Sequence, residues 1–224
     1  MLQFIKSYKS LLFYRKLIGK NNLCFDVGAN LGIKSKLFLS LGAKVIAFEP
    51  QTKCHEALQK ITHRNFKLNK IAIGSKKGEL DLHVGNHIEI ATLSNKFKTY
   101  FTSENSYWDK KETVKVVTLN SQIEKYGIPD FCKIDAEGYE YEILINLNYK
   151  IPIIEFEFTG GFIEETILCI SKIQNLGVYT FNYVLNEKIK MSSKKWMSAK
   201  EITTQLNAMN IKNLHGNIFA KLNN

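Results

Sequence analysis

The sequence predicts a doubly wound α/β fold with a largely parallel sheet, on three observations. Short apolar runs alternate with amphipathic stretches along most of the chain. A glycine-containing turn, Asp26-Val27-Gly28-Ala29-Asn30-Leu31-Gly32, follows the apolar run Leu23-Cys24-Phe25 and leads into a helical stretch that ends near Leu41-Gly42. A second apolar run, Lys44 to Phe48, ends on Glu49-Pro50, where proline stops a strand. One strand-helix-strand unit is therefore legible.

The 224 residues are long for one ordinary domain and short for two, so a single domain over 1–224 is expected. Hydrophobic residues at 45% and charged residues at 23% are those of a soluble globular chain, which argues against disorder or a fibrous class. The cysteines Cys24, Cys54, Cys132 and Cys169 are widely spaced and form no C-x-x-C pair, so they read as buried hydrophobes in a reducing compartment. No apolar run approaches a membrane span, and a cytoplasmic location is expected. The net charge of +10 favours anionic partners, yet the lysines are scattered, and a generic solvated surface is as good an account as a nucleic-acid or acidic-glycan face.

Taken in order, Leu2, Ile5, Leu11, Leu12 and Ile18 recur at helical spacing with Lys6, Lys9, Arg15 and Lys16 between them, which predicts an amphipathic helix over 1–20. A basic helix of this kind suits a membrane surface, but covering one edge of the domain is the commoner use and the expected one. A helix is expected over Thr52 to Ile61 after the second strand. Further strands are predicted at Phe66–Ile73, Glu79–Val84, Thr113–Leu119, Phe131–Ile134, Ile151–Phe158, Val178–Tyr183 and Asn217–Lys221. Helices are expected over Ser121–Lys125, Tyr139–Asn146, Ile163–Asn175 and Ala199–Asn210. Between them, residues 87–111 are polar and aromatic with weak periodicity, and read either as an acceptor-binding insertion or lid, or as a plain insertion.

The chemistry concentrates in the first unit. In an open parallel sheet a ligand lies outside the carboxyl ends of the strands, and the first turn must let backbone approach it closely. Gly28 and Gly32 supply that access, and Asn30 between them tolerates left-handed backbone angles. Glu49, 23 residues after Asp26, stands where nucleotide-binding folds place the acid that accepts ribose hydroxyls. The glycines are four apart with none between, which disfavours a nicotinamide or flavin dinucleotide.

Asp135 and Glu137 close a strand that would lie centrally, where catalytic groups of this architecture sit, and Gly138 permits the turn. Their structural alternative has Asp135 capping the turn and Glu137 paired to a lysine such as Lys133. Glu155 and Glu157 share one face of the next strand, which is costly for an apolar parallel strand unless it serves a site or forms an exposed edge. His83 and His87 flank the start of the insertion, where an imidazole is of the type that supplies a base near neutral pH, but surface or structural histidines are the expected reading, and His55 and His63 are expected on a solvated helix. No metal-ligand spacing is present, so no metal is expected, although carboxylates beside an acceptor are of the type that holds magnesium.

DVGANLG at 26–32, AFEPQ at 47–51, AIG at 72–74, KIDAEGYEYEIL at 133–144 and IPIIEFEF at 151–158 together make the chain resemble the FkbM-type methyltransferases. The resemblance implies the class I methyltransferase fold, a seven-stranded sheet in which the closing HGNIFAKL enters antiparallel, and S-adenosylmethionine as cofactor. It places Asp26, Gly28, Asn30 and Gly32 at the methionine end of the cofactor and Glu49 on its ribose. For Asp26 the residues alone also allow a turn-forming carboxylate. Where the family carries T-L-D this chain has Thr118-Leu119-Asn120, with Asn120 suited to cap the next helix.

What the resemblance implies is O-methylation of a sugar, glycan or glycosylated small molecule by in-line displacement, with Asp135 or Glu137 acting on the acceptor hydroxyl. An RNA or other nucleic-acid methyltransferase is the second possibility, suited by the charge but lacking a dense basic-aromatic stripe. A non-catalytic cofactor-binding protein is the third, and the intact set of carboxylates argues against it.

Overall fold

A computed structural model describes residues 2–186, 188–209 and 214–223, with side chains from residue 8 onward. Met1 and Asn210, the outer limits of two expected helices, lie outside that range, as do the side chains of Leu2, Ile5 and Lys6.

Seven strands form the main sheet: β1 (Leu23–Val27), β2 (Lys44–Phe48), β3 (Phe66–Asn69), β7 (Phe131–Ile134), β8 (Ile153–Thr159), β9 (Tyr179–Leu185) and β10 (His215–Leu222). Their order is β3-β2-β1-β7-β8-β10-β9. β3, β2, β1, β7 and β8 pair in parallel, and β10 inserts antiparallel to both β8 and β9. This is the expected α/β architecture with its antiparallel closing strand. A smaller sheet, β4-β6-β5, is built from β4 (Ala72–Ile73), β5 (Gly78–Gly85) and β6 (Trp108–Val117).

Alternation along β1 explains why helices cover both faces. Cys24 packs with Phe38, Val45, Phe131 and Phe219 under α1 (Leu2–Tyr14) and α2 (Ile33–Ser40). Phe25, its neighbour, points the other way, into a larger core filled from α5 (Leu119–Tyr126), α6 (Glu140–Leu144), α7 (Ile163–Leu176) and α8 (Ala199–Ala208). The helix α3 (Thr52–Gln59) packs Cys54 and Leu58 against Ala29 and Ala47. Among the described residues no helix is long and apolar enough to cross a membrane.

Several expectations need correction. The opening helix ends at Tyr14, short of residue 20, and Ile18 packs from the turn beyond it. The single strand expected at Phe66–Ile73 is two strands, because Phe66–Asn69 pairs with β2 whereas Ala72–Ile73 pairs with β6 in the other sheet. The strand expected from Thr113 begins at Trp108 and stops at Val117, since the Thr118 hydroxyl accepts the Ser121 N–H and starts α5 at Leu119. Asn120 therefore caps nothing; its amide bridges to Asn146 and Asn148 instead. The 87–111 stretch is more regular than expected, with a 3-10 turn at Ile88–Ile90, α4 (Asn95–Phe101) and the first residues of β6. β8 lies between β7 and β10, so Glu155 and Glu157 are on an internal strand and no edge. His63 lies beyond the end of α3.

Candidate active site

The ends of β1, β2 and β7 surround an open cavity that holds about 800 Å3 of atom-free space, part of it exposed to solvent. Gly28, Asn30, Glu49, Gln51, Asp135 and Glu137 are in its wall.

Gly28 is fixed by geometry on two counts. Its φ is 75°, and a Cβ there would lie 1.7 Å from the Asp135 carbonyl oxygen, so only glycine lets the first turn meet the end of β7. Asn30 adopts φ 49° as its residue type allows, and its N–H donates to Glu49 Oε2 at 2.7 Å. The Gln51 N–H donates to Glu49 Oε1 at 2.7 Å, so the Glu49 carboxylate is locked in place with one lone pair on each oxygen free for a pair of hydroxyls. Burial pushes its pKa up to about 7, against which the two backbone donors pull.

Asp26 and Gly32 stand elsewhere. Asp26 is fully buried behind the turn, where its Oδ2 accepts the Ser35 hydroxyl at 2.6 Å and Oδ1 has no partner within the chain. Gly32, at φ 77°, precedes α2 and packs beside Leu58 and Ile61 at the end of α3. Three of the five expected cofactor residues thus line the cavity, and two lie behind its wall.

The carboxylates at the β7 end form a graded set. Lys133, only 3% exposed, has Asp26 on β1 and Glu155 on β8 as its register partners. Its ammonium donates to Asp135 Oδ2 at 2.7 Å. The ion pair suggested for Glu137 is therefore made by Asp135, two residues along the same strand face. Burial alone would push the Asp135 carboxyl up, and Lys133 overrides it and keeps the group ionised. Glu137 takes the opposite course. It sits at φ 50° before Gly138 at φ 82°, and burial, then Asp135 and Glu140, raise its pKa well above the ordinary range. Glu157 is raised the same way and hydrogen-bonds to Asp135.

One oxygen each of Asp135, Glu137 and Glu157 lies within 4.8 Å of the others. Such a group can hold either a cation or shared protons. Glu140 braces the turn by accepting the Ala136 N–H at 2.8 Å.

The insertion closes the remaining side through Ile88, Glu89, Ala91 and Leu93. The Thr92 hydroxyl donates to the Glu137 carbonyl at 2.7 Å, tying the insertion to the turn after β7. Its aromatic residues work from behind: Phe97 packs on Phe101, Trp108 and Phe162, and the Trp108 indole N–H donates to the Ile90 carbonyl at 2.7 Å. No described histidine is in the cavity wall; His83 is bonded to Asn95, His87 to the Asn105 carbonyl and His55 to the Glu49 carbonyl.

Sequence reasoning missed Gln51 and the grip of Lys133. Gln51 is buried in the cavity wall with its amide Nε2 unpartnered, and its one signal was its place at the end of the AFEPQ segment, directly after Glu49-Pro50. Lys133 did leave a signal: a lysine inside a buried strand, two residues before an aspartate, needs an acidic partner on its own face.

The family model for the methyltransferase FkbM domain matches residues 26–206. No curated protein matches the chain. Among solved structures, a precorrin-6y C5,15-methyltransferase from Geobacter metallireducens GS-15 superposes with a TM-score of 0.50 at 13% identity, over 96% of this chain and 87% of that one. A ribosomal protein L11 methylase from Lactobacillus delbrueckii subsp. bulgaricus gives 0.46 at 12% identity, over 96% and 78%. An rRNA methylase from Streptococcus thermophilus gives 0.44 at 12% identity, over 96% and 95%. At 13% identity the first of these is a likeness of fold alone, and fold does not specify an acceptor.

Proposed function

The chain belongs to the FkbM methyltransferase family, its cofactor is S-adenosylmethionine, and on that premise we propose that it methylates a hydroxyl of a sugar, glycan or glycosylated small molecule. The observation that carries this reading is the pairing of an ionised Asp135, held by Lys133, with a proton-hungry Glu137 in the wall of the cavity that also contains Glu49.

The wall fits the cofactor. Glu49 presents free lone pairs to the two ribose hydroxyls, Gln51 offers an unpartnered amide, and Gly28 and Asn30 bring backbone to the ligand. When bound, S-adenosylmethionine supplies a methyl group already activated by the sulfonium charge. The protein's remaining tasks are alignment, which contributes roughly 7 to 11 kcal/mol at best, and removal of the acceptor proton. Glu137, when ionised, would take that proton, because its raised pKa makes it the stronger base. Asp135, fixed by Lys133, orients the hydroxyl and stays charged. The segment 87–111 closes over the acceptor, with Trp108 setting the position of residues 88–91 from behind.

Calorimetry tests the cofactor half of this arrangement. Glu49→Ala is expected to weaken S-adenosylmethionine binding by about 1 to 3 kcal/mol, the worth of charge-assisted bonds to the ribose. Unchanged affinity removes Glu49 from the site.

A further inference from the structure

The charge of this chain is not spread over it. Five of its 31 basic residues lie in residues 1–25 and five in 188–200, and neither segment contains an acidic residue. The other 21 basic residues face all 21 acidic ones, so the two segments account for the whole net charge of +10. They are far apart in sequence, and the fold brings them together. Phe13, Tyr14, Leu17 and Ile18 share one apolar cluster with Met191 and Trp196, seated on Val184 and Phe219 of the sheet. Lys221 of β10 joins them, its ammonium 5.9 Å from the Trp196 ring centroid.

Outward from that cluster, Lys9, Arg15, Lys16 and Lys20 are exposed on and just after α1. Lys188, Lys190, Lys194 and Lys195 are exposed on the second segment. Between the cations of α1, Tyr8 and Leu12 stand one helical turn apart and are 57% and 43% exposed, although the same helix buries Tyr14 completely on its inner side. A helix whose inner face fills the core and whose outer face interleaves lysine with exposed apolar side chains has the character of one that lies in a lipid interface.

We propose that this face, α1 together with residues 188–196, docks on a membrane surface carrying anionic lipids. Charge complementarity commits the occupant. Seven of these eight exposed cations are lysines, compact point charges suited to a diffuse anionic plane, whereas recognition of individual phosphates in nucleic acid favours the forked guanidinium of arginine. Tyr8 and Leu12 add the apolar contact that a lipid interface rewards and a phosphate backbone does not. The proposal is independent of the acceptor, since the residues concerned line no part of the cavity.

The test is co-sedimentation of the full chain with phosphatidylcholine vesicles and with vesicles of phosphatidylcholine mixed with phosphatidylglycerol. Binding is expected to the mixed vesicles alone and to fall as salt is raised. Lys194→Glu combined with Lys195→Glu is expected to weaken it by about tenfold or more, and Leu12→Ser severalfold without any change in charge. All three positions are exposed, and an unchanged melting temperature and S-adenosylmethionine affinity certify each variant as folded. Equal binding to both vesicle types, or to neither, overturns the proposal. So does tighter binding to a single-stranded RNA that Leu12→Ser leaves intact.

Discussion

Glu137→Gln is expected to lower kcat by on the order of 100-fold or more while S-adenosylmethionine affinity and melting temperature stay near those of the parent. The substitution keeps the shape of the side chain and removes its ability to take a proton. The pH profile carries a second, sharper sign. Because burial, Asp135 and Glu140 all raise the Glu137 pKa, this group is protonated and inactive on the acid side, and kcat should rise with pH as it ionises. Asp135→Asn removes one of those raising charges, so the ascending limb should move to lower pH. In Glu137→Gln that limb should vanish. Single-turnover rates across pH in the three proteins check this, and an unmoved limb in both variants shifts the search to Glu157, which belongs to the same coupled group.

Gly28→Ala should be severely damaging. The left-handed backbone alone disfavours a side chain by roughly 1 to 2 kcal/mol. The added carbon would also lie 1.7 Å from the Asp135 carbonyl, a backbone atom that cannot swing aside, so the ends of β1 and β7 must separate. A total loss of roughly 3 kcal/mol or more is expected in denaturant unfolding, together with loss of cofactor binding, because the same separation opens the cavity wall. Gly32→Ala provides the contrast. Its φ is similar, but the nearest atoms are the side-chain tips of Leu58 and Ile61, 2.8 Å away, which can shift, and the residue lines no part of the cavity. It should lose about 1 to 2 kcal/mol and still bind S-adenosylmethionine. Equal losses of binding in both would mean that the turn acts as one rigid piece and that Gly28 has no special place against β7.

Much of this site was legible because it is local. Gly28, Asn30 and Glu49 lie in one strand-helix-strand unit, and Asp135 and Glu137 flank one turn, so local segments point to five residues of the cavity wall, whereas Asp26 and Gly32, from the same unit, stand behind it. What the sequence could not reveal depends on register between distant strands. Lys133 acquires its meaning only when β1 and β8 set Asp26 and Glu155 beside it. Glu155 is buried because β10, some sixty residues later, inserts at what would otherwise be the sheet edge, and the Tyr14 hydroxyl of α1 reaches it at 2.8 Å. Which residues of the insertion reach the cavity was hidden for a related reason: aromatic content shows no direction in one dimension, and Phe97 and Trp108 hold the element against Phe162 and Ile90 while Ile88, Glu89, Ala91 and Leu93 face the cavity. The division of Phe66–Ile73 between two sheets has no periodic signature at all, since both halves alternate as strands do.

The central claim is that a hydroxyl on a sugar-containing molecule receives the methyl group in the cavity between Glu49 and Glu137. Incubation with methyl-labelled S-adenosylmethionine and extract of the source cell, fractionated into glycan and small-molecule, lipid, nucleic-acid and protein pools, tests it most directly when the labelled bond is then identified by mass spectrometry. A methyl ether in the glycan or small-molecule pool, absent with Glu137→Gln, is the predicted result. Label on a nucleic-acid base or a protein side chain would contradict the claim.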